Sequence, residues 1–319
     1  MKRFGLPVVL PVRAPFRLDL TVRALRRIAS NVVDVVGEDG AYYRALHDGR
    51  SIVVLAVRQV DAGAIELCCT GADASRYAPA VERILGTSVD LSAWYARARR
   101  VPWLRPLAEN LRGVKPPTYP TLWEACAHAI VFQQISIYAA GAIMRRAIER
   151  LAGAVRAPGV RCVPFPAPRR WLESADEDLF GAGLSRNKVA HLRATAQAFL
   201  DGRVDEAELA RLPTAEAAAR LAENRGIGPW SASVAMLRGL GRLDVFPLRD
   251  SGVARTLTLL AGNRNVDQAE LLERLGPVRG MLYYHLLLGR LAALDDHAVR
   301  RRTPDDGGDG RKGDEPNGL

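Results

Sequence analysis

Two glycines flanking one aliphatic residue, Gly226-Ile227-Gly228, stand between two stretches of helical periodicity and are followed directly by Pro229. Glycine reaches positive φ without penalty, so a chain can reverse there within very few residues. Pro229 suits the first position of the helix that follows, where no N–H is needed. The segment therefore predicts two helices joined by a tight hairpin. The backbone N–H groups at the start of the second helix would face outward at the positive end of its dipole, an arrangement that grips a phosphate. Contacts of that kind position a duplex without reading its sequence. An ordinary helix corner that uses glycine for geometry alone has the same pattern, so the hairpin by itself leaves DNA binding open.

The surrounding chain divides in two. From Phe16 to about Thr70, β-prone runs mix with one helical stretch predicted over Thr21–Val36. Ser51–Val57 and Ala64–Thr70 flank Asp61-Ala-Gly63 and read as a β-hairpin. Helices are predicted near Ala74–Leu85 and Leu91–Arg100. Pro116, Pro117 and Pro120 mark a boundary, after which the pattern is almost entirely helical. Thr121-x-x-Glu124 is a capping box that opens a helix predicted to run to about Leu151, and Ser174-x-x-Glu177 is a second one. Arg156–Arg170 carries four prolines and is predicted to be a loop. Further helices are predicted over Lys188–Leu200, Glu206–Arg211, Ala215–Asn224, Ser231–Leu240, Ser251–Leu260, Gln268–Leu275 and Met281–Leu294. The expected fold class is α+β. An N-terminal antiparallel sheet domain with helices spans 1–112, a mainly helical domain spans 113–302, and a Gly/Asp-rich tail, 303–319, is expected to be disordered.

Charge narrows the partner. The net charge is +10, yet residues 303–319 hold five acidic and two basic side chains, so the remainder carries +13. Such an excess favours a polyanion. A composition of 41 Arg against four Lys also fits the bias of a GC-rich genome, so charge alone does not decide. The apolar runs, such as Ile52–Val57, are too short to span a bilayer. Pro7, Pro11 and Arg13 interrupt the apolar stretch after Lys2 and Arg3, which argues against a secretory signal. Cys68, Cys69, Cys126 and Cys162 have no metal-binding spacing, so reduced thiols in the cytoplasm are expected. The five histidines show no ligand spacing either, and His128 and His285 read as packed or surface residues in helices.

A few residues beyond the second hairpin helix comes Asp244-Val-Phe-Pro-Leu-Arg-Asp250-Ser-Gly252, which leaves the helix, makes a Pro-bounded loop and presents Asp250 at a predicted helix N-terminus. Asp250 taken alone is a plain N-cap. Taken together, Gly226-Ile-Gly-Pro-Trp230-Ser231-Ala, Asp244-Val-Phe-Pro and Asp250 resemble the core of helix-hairpin-helix DNA glycosylases, and the 3-methyladenine DNA glycosylase II family above all. Trp123-Glu-Ala, Gln133-Gln134-Ile-Ser136, Phe165-Pro-Ala-Pro168 and Gly183-Leu-Ser with Lys188 extend the match, and Pro15-Phe16 resembles that family's N-terminal sheet domain. The resemblance covers roughly residues 12–295.

The resemblance implies a catalytic role for Asp250. It implies a phosphate grip at Gly226, Ile227, Gly228 and Ser231, with a monovalent cation held by hairpin carbonyls and no metal or redox cofactor. Gln134 falls where a side chain wedges into the gap left by an extruded nucleotide. The same residues also read as a helix's solvent edge. Trp230, Gln133 and Tyr138 fall around the base pocket, although Trp230 reads equally as a core residue. Pocket positions that are aromatic in the family stand here as Ala24, Val234 and Val278, with Tyr138, Phe16, Tyr283 or Tyr284 as substitutes. The implied partner is damaged double-stranded DNA, bound by a monomer with no membrane association. A base in a duplex must be flipped out before it can be cut, and a carboxylate can stabilise the oxocarbenium character that develops on the sugar. Related lyases attack with a lysine, and the position of that lysine is Trp230 here, so a monofunctional hydrolase of alkylated purines is expected. The competing readings are a non-catalytic hairpin DNA-binding protein and a glycosylase for another damaged base.

Overall fold

A computed structural model describes residues 3–49, 51–248, 250–262 and 266–300, with the backbone alone at 251 and 294–300. The tail 303–319 lies outside the described residues. The N-terminal half contains β1 (Val8–Pro11), α1 (Leu18–Arg26), β2 (Asp34–Val36), β3 (Tyr42–Asp48), β4 (Ser51–Asp61), β5 (Ala64–Cys69), α2 (Ala78–Leu85), α3 (Ser92–Ala98) and α4 (Leu104–Asn110). The strands form one antiparallel sheet in the order β1-β5-β4-β3-β2. The β4–β5 hairpin is the one predicted. The helix predicted over Thr21–Val36 instead starts at Leu18 and stops at Arg26. Arg27 takes φ 63° there, and Asn31 turns the chain by accepting from the N–H groups of Val33 and Asp34.

The second half runs α5 (Leu122–Phe132), α6 (Ile137–Leu151), β6 (Val155–Ala157), β7 (Val160–Cys162), α7 (Pro168–Glu173), α8 (Asp176–Gly181), α9 (Arg186–Leu200), α10 (Glu206–Arg211), α11 (Thr214–Ala222), α12 (Pro229–Gly239), α13 (Ser251–Ala261), α14 (Gln268–Leu275) and α15 (Gly280–Arg300). The fold class is α+β, as predicted. Three local expectations fail. The long helix to Leu151 breaks at 133–136. The proline-rich stretch holds the small β6–β7 hairpin, because Ala157 and Cys162 find apolar cover on the outer face of the sheet beside Tyr43, Val54 and Ala56. Ser174 caps nothing. Its hydroxyl donates to the Trp171 carbonyl, and α8 begins after Ala175 with no side-chain cap. Among the described residues no helix is long and apolar enough to cross a membrane.

Two apolar cores join the halves. One packs the inner sheet face (Val53, Leu55, Ile65, Leu67) against α5, α6, α9 and α12. The other packs α1, α3 and α4 against α13, α14 and α15. Buried charge ties the same parts together. Arg44 of β3 reaches Asp34 at 2.5 Å and clamps both oxygens of Glu124, in the first turn of α5, at 2.6 and 2.7 Å. Arg238, near the end of α12 and fully buried, donates to the carbonyls of Ala24 and Leu25 in the last turn of α1 and lies over the Tyr119 ring at 4.8 Å.

His128 of α5 and His285 of α15 are both buried. His285 presents Nε2 to the Trp94 indole N–H at 3.2 Å and Nδ1 to the Met281 carbonyl at 2.9 Å, which fixes the neutral Nδ1–H tautomer. Burial lowers its pKa to about 4 and pushes that of His128, stacked 4.4 Å from Tyr119, well below normal. A histidine that is depressed in the folded state takes its proton first in the unfolded chain. The stability that His285 contributes is therefore complete above about pH 6.5 and is lost as pH falls toward about 4, by about 1.4 kcal/mol per pH unit. Urea midpoints measured between pH 7 and 5 should fall less steeply for His285→Gln than for wild type, a comparison in which the carboxyl contributions cancel. Equal slopes would mean that His285 already carries a proton in the fold.

Candidate active site

The hairpin forms as its glycines dictate. After α11 the chain turns at Asn224, whose carbonyl accepts the Ile227 N–H at 3.0 Å. Gly226 takes φ +93°, and a Cβ on it would sit 2.4 Å from His191, so both the turn and the packing require glycine. Ile227 is buried in the core, so its side chain anchors the hairpin. Gly228 is extended and opens α12; the space where its Cβ would lie is empty. No side chain caps the start of α12. The tip is therefore an uncovered helix N-terminus that a phosphate can approach closely.

Ser231, expected on the DNA side, has its hydroxyl buried instead and accepts from Gln133 Nε2 at 2.7 Å. The same Nε2 donates to the Gly226 carbonyl at 2.9 Å. Gln133, expected around the pocket, thus ties the end of α5 to both sides of the hairpin. Lys188 completes the junction. Its ammonium donates to the carbonyls of Val131 and Gln133 at 2.6 and 3.0 Å, and partial burial lowers its pKa. The chain needs a cation there because α5 ends inside the protein with its last carbonyls exposed. Lys188 is therefore a helix cap.

Gln134 comes next, at φ +58° and exposed. This left-handed backbone breaks the long predicted helix, and Ser136 restarts it by accepting the Ala139 N–H. A non-glycine residue held in that conformation at an exposed tip carries strain of the sort found at functional sites. Ile135 beside it is an exposed aliphatic side chain.

Across from the hairpin, Asp250 is the N-cap of α13. Oδ1 accepts the N–H groups of Gly252 and Val253 at 2.9 and 3.0 Å. Oδ2 points the other way and accepts the Trp230 indole N–H at 3.3 Å. The capping role and the catalytic assignment therefore use different oxygens of one half-buried carboxylate. Asp244, six residues earlier, is exposed and accepts from the Thr214 hydroxyl at 2.9 Å.

A family model described as HhH-GPD superfamily base excision DNA repair protein matches residues 127–278, a span that contains the hairpin, Gln133, Gln134 and Asp250. Residues 127–278 belong to the HhH-GPD superfamily. Among similar proteins, a DNA-3-methyladenine glycosylase of Bacillus subtilis is 26% identical over 185 residues, covering 58% of this chain and 61% of its own. A DNA-3-methyladenine glycosylase of Saccharomyces cerevisiae is 33% identical over 143 residues, 44% of this chain and 47% of its own. The chain thus spans about half to three-fifths of those relatives. The solved 3-methyladenine DNA-glycosylase from Archaeoglobus fulgidus shares the fold at TM-score 0.75 and 24% identity, covering 89% of this chain and 98% of that one.

Within this HhH-GPD arrangement the remaining expected pocket residues are dispersed. Tyr138, in the first turn of α6, is 51% exposed and so lies on the surface. Ala24, Val234 and Val278 are buried. Phe16 is a core residue, and Tyr284 is buried with its hydroxyl donating to the Pro117 carbonyl at 3.0 Å and Tyr283 packed edge-on against its ring. Trp230 is therefore the one predicted pocket aromatic in contact with Asp250. The hairpin carbonyls fit a monovalent cation, being neutral oxygens with a lone pair to spare beside the bonds already accepted by Asn224 and Gly226. A cation bound there would add positive charge where the open tip of α12 faces a phosphate.

Proposed function

We propose that this chain is a monofunctional DNA glycosylase that flips alkylated purines of the 3-methyladenine type out of duplex DNA and hydrolyses their glycosidic bond, as a monomer in the cytoplasm. The observation that carries the reading is the half-buried carboxylate of Asp250, turned toward Trp230 across from an open phosphate-binding hairpin. Capping occupies only Oδ1, which leaves Oδ2 to present the charge of the carboxylate to the site beside Trp230. Departure of the base leaves oxocarbenium character on the sugar, which that charge stabilises. Alkylation at a ring nitrogen makes the base cationic, hence a better leaving group and a partner for an aromatic face, and Trp230 supplies one. The uncapped start of α12 takes a phosphate, and Gln134 at its strained tip fills the vacated stack.

Among the described residues lysine chemistry finds no support. Lys188 is spent on α5, and Lys115, whose pKa burial lowers to about 8, donates to the Val89 carbonyl; Lys2 and Lys312 lie outside the described residues. The four cysteines are free thiols, in keeping with a reducing compartment.

The test is to incubate methylated genomic DNA with the protein, identify the released bases and treat the reaction with borohydride. Release of 3-methyladenine, an intact abasic site and no trapped protein–DNA adduct are expected. Release of only oxidised guanine or uracil would overturn the substrate assignment, and efficient trapping would overturn the monofunctional one.

A further inference from the structure

Arg290 of α15 was not singled out by any sequence pattern, yet it stands beside Asp250. A Cβ added to Gly252 would lie 2.0 Å from Arg290 Nη1 and 3.2 Å from Asp250 Oδ1, so the guanidinium occupies the place of the missing side chain and faces the carboxylate across the first turn of α13. The glycine of Asp250-Ser-Gly252 is what admits it. The two groups do not close an ion pair, and Arg290 has no hydrogen-bond or salt-bridge partner among the described residues, unlike Arg44, Arg83 and Arg193, each of which holds a carboxylate. It is half-buried, so water supplies only part of what its five donors require. It also sits at the positive end of α13, where a cation is disfavoured.

An unpaired guanidinium beside the Asp250 carboxylate, with donors to spare at a helix N-terminus, fits an incoming anion. We propose that Arg290 binds a backbone phosphate flanking the extruded nucleotide and so lets the Asp250 carboxylate approach DNA; the inference rests on the glycosylase reading of this site. Catalysis by Asp250 requires two anions, the carboxylate and a phosphate, to come together. A guanidinium facing both offsets their repulsion and presents a planar fork that matches phosphate geometry. The base is the wrong partner, since a cationic alkylpurine would be repelled by the same charge. Arg290 is in this view a positioning residue whose contact forms only once the nucleotide has left the stack.

The test uses the full chain and a duplex carrying one tetrahydrofuran abasic analogue, which binds without chemistry, so it is insensitive to whether bases are cut. Arg290→Met should weaken binding to this duplex about tenfold and flatten the plot of log affinity against log salt by about 0.9, the loss of one phosphate contact. Arg290→Lys should keep the wild-type slope, and undamaged duplex should respond less to either change. Methylphosphonates at the phosphates flanking the analogue provide a version with unaltered protein: wild type should lose the same slope on this neutralised duplex, and Arg290→Met should lose nothing further. Wild-type slopes in Arg290→Met, or losses from substitution and neutralisation that simply add, would overturn the proposal. So would unchanged affinity accompanied by an altered set of released bases, which would place Arg290 against the base. Base release by wild type from methylated DNA reports on the glycosylase reading separately.

Discussion

Replacing Asp250 by Asn is expected to lower single-turnover excision at least about a hundredfold, the scale on which removal of a main electrostatic stabiliser acts. The substitution is chosen because the fold should survive it. Asn caps a helix as well as Asp does, so the two N–H groups of Gly252 and Val253 keep their acceptor. What is lost is the negative charge and the acceptor for the Trp230 indole, a bond already long at 3.3 Å. If, as proposed, the charge acts on a sugar cation that exists only as the base leaves, turnover should collapse while binding to an abasic-analogue duplex stays level or tightens slightly, one negative charge having been removed from beside phosphates. Asp244→Asn is the control. Its carboxylate is exposed and bonded to Thr214, a contact an amide oxygen can still make, so excision should be near normal. If Asp250→Asn excises at close to the wild-type rate, or loses binding and rate in equal measure, the aspartate is a helix cap and nothing more.

The second large effect concerns stability. Glu124→Ala should cost about 3–5 kcal/mol, because it strips the fully buried Arg44 of its bidentate partner and leaves Asp34 alone to balance it. Burial pushes the Glu124 carboxyl up to about 7 against the pull of Arg44, a sign of how costly isolated charge is at this depth. In a chain of this size the loss corresponds to a melting temperature lower by roughly 10 °C. Replacing Asp34, Arg44 and Glu124 together by apolar residues of similar volume should recover most of it, since the desolvation penalty disappears along with the attraction. Thermal and urea unfolding of the two variants decide the matter; a single-variant loss below about 1 kcal/mol would mean that water reaches the cluster. The cluster bears on the site because Glu124 begins the helix whose other end holds Gln133 and Gln134. The sheet thereby fixes one end of the lever that grips the hairpin.

Local chemistry was legible in the sequence. The hairpin follows from what Gly226 and Pro229 permit at single positions, the capping of α5 from Thr121, and the helix start at Asp250 from its own side chain. The α+β class followed from periodicity alone, and the pairing of hairpin and aspartate in one base-excising site was implied by the resemblance. The tertiary structure decided what depends on partners distant in the chain. Gln133 and Gln134 are identical neighbours, yet one is bonded to Gly226 and Ser231 while the other is exposed with a left-handed backbone, because the carbonyls of α5 end against Lys188, 55 residues away. Glu124 looked like half of a capping box, but an arginine 80 residues distant claims its carboxylate. The break at Gln134, the small β6–β7 hairpin and the burial of Ser231 share that cause. Local propensity is worth tenths of a kcal/mol per residue, whereas leaving a buried charge, carbonyl or apolar face without its partner costs several times more, so wherever the two conflicted the long-range contact prevailed.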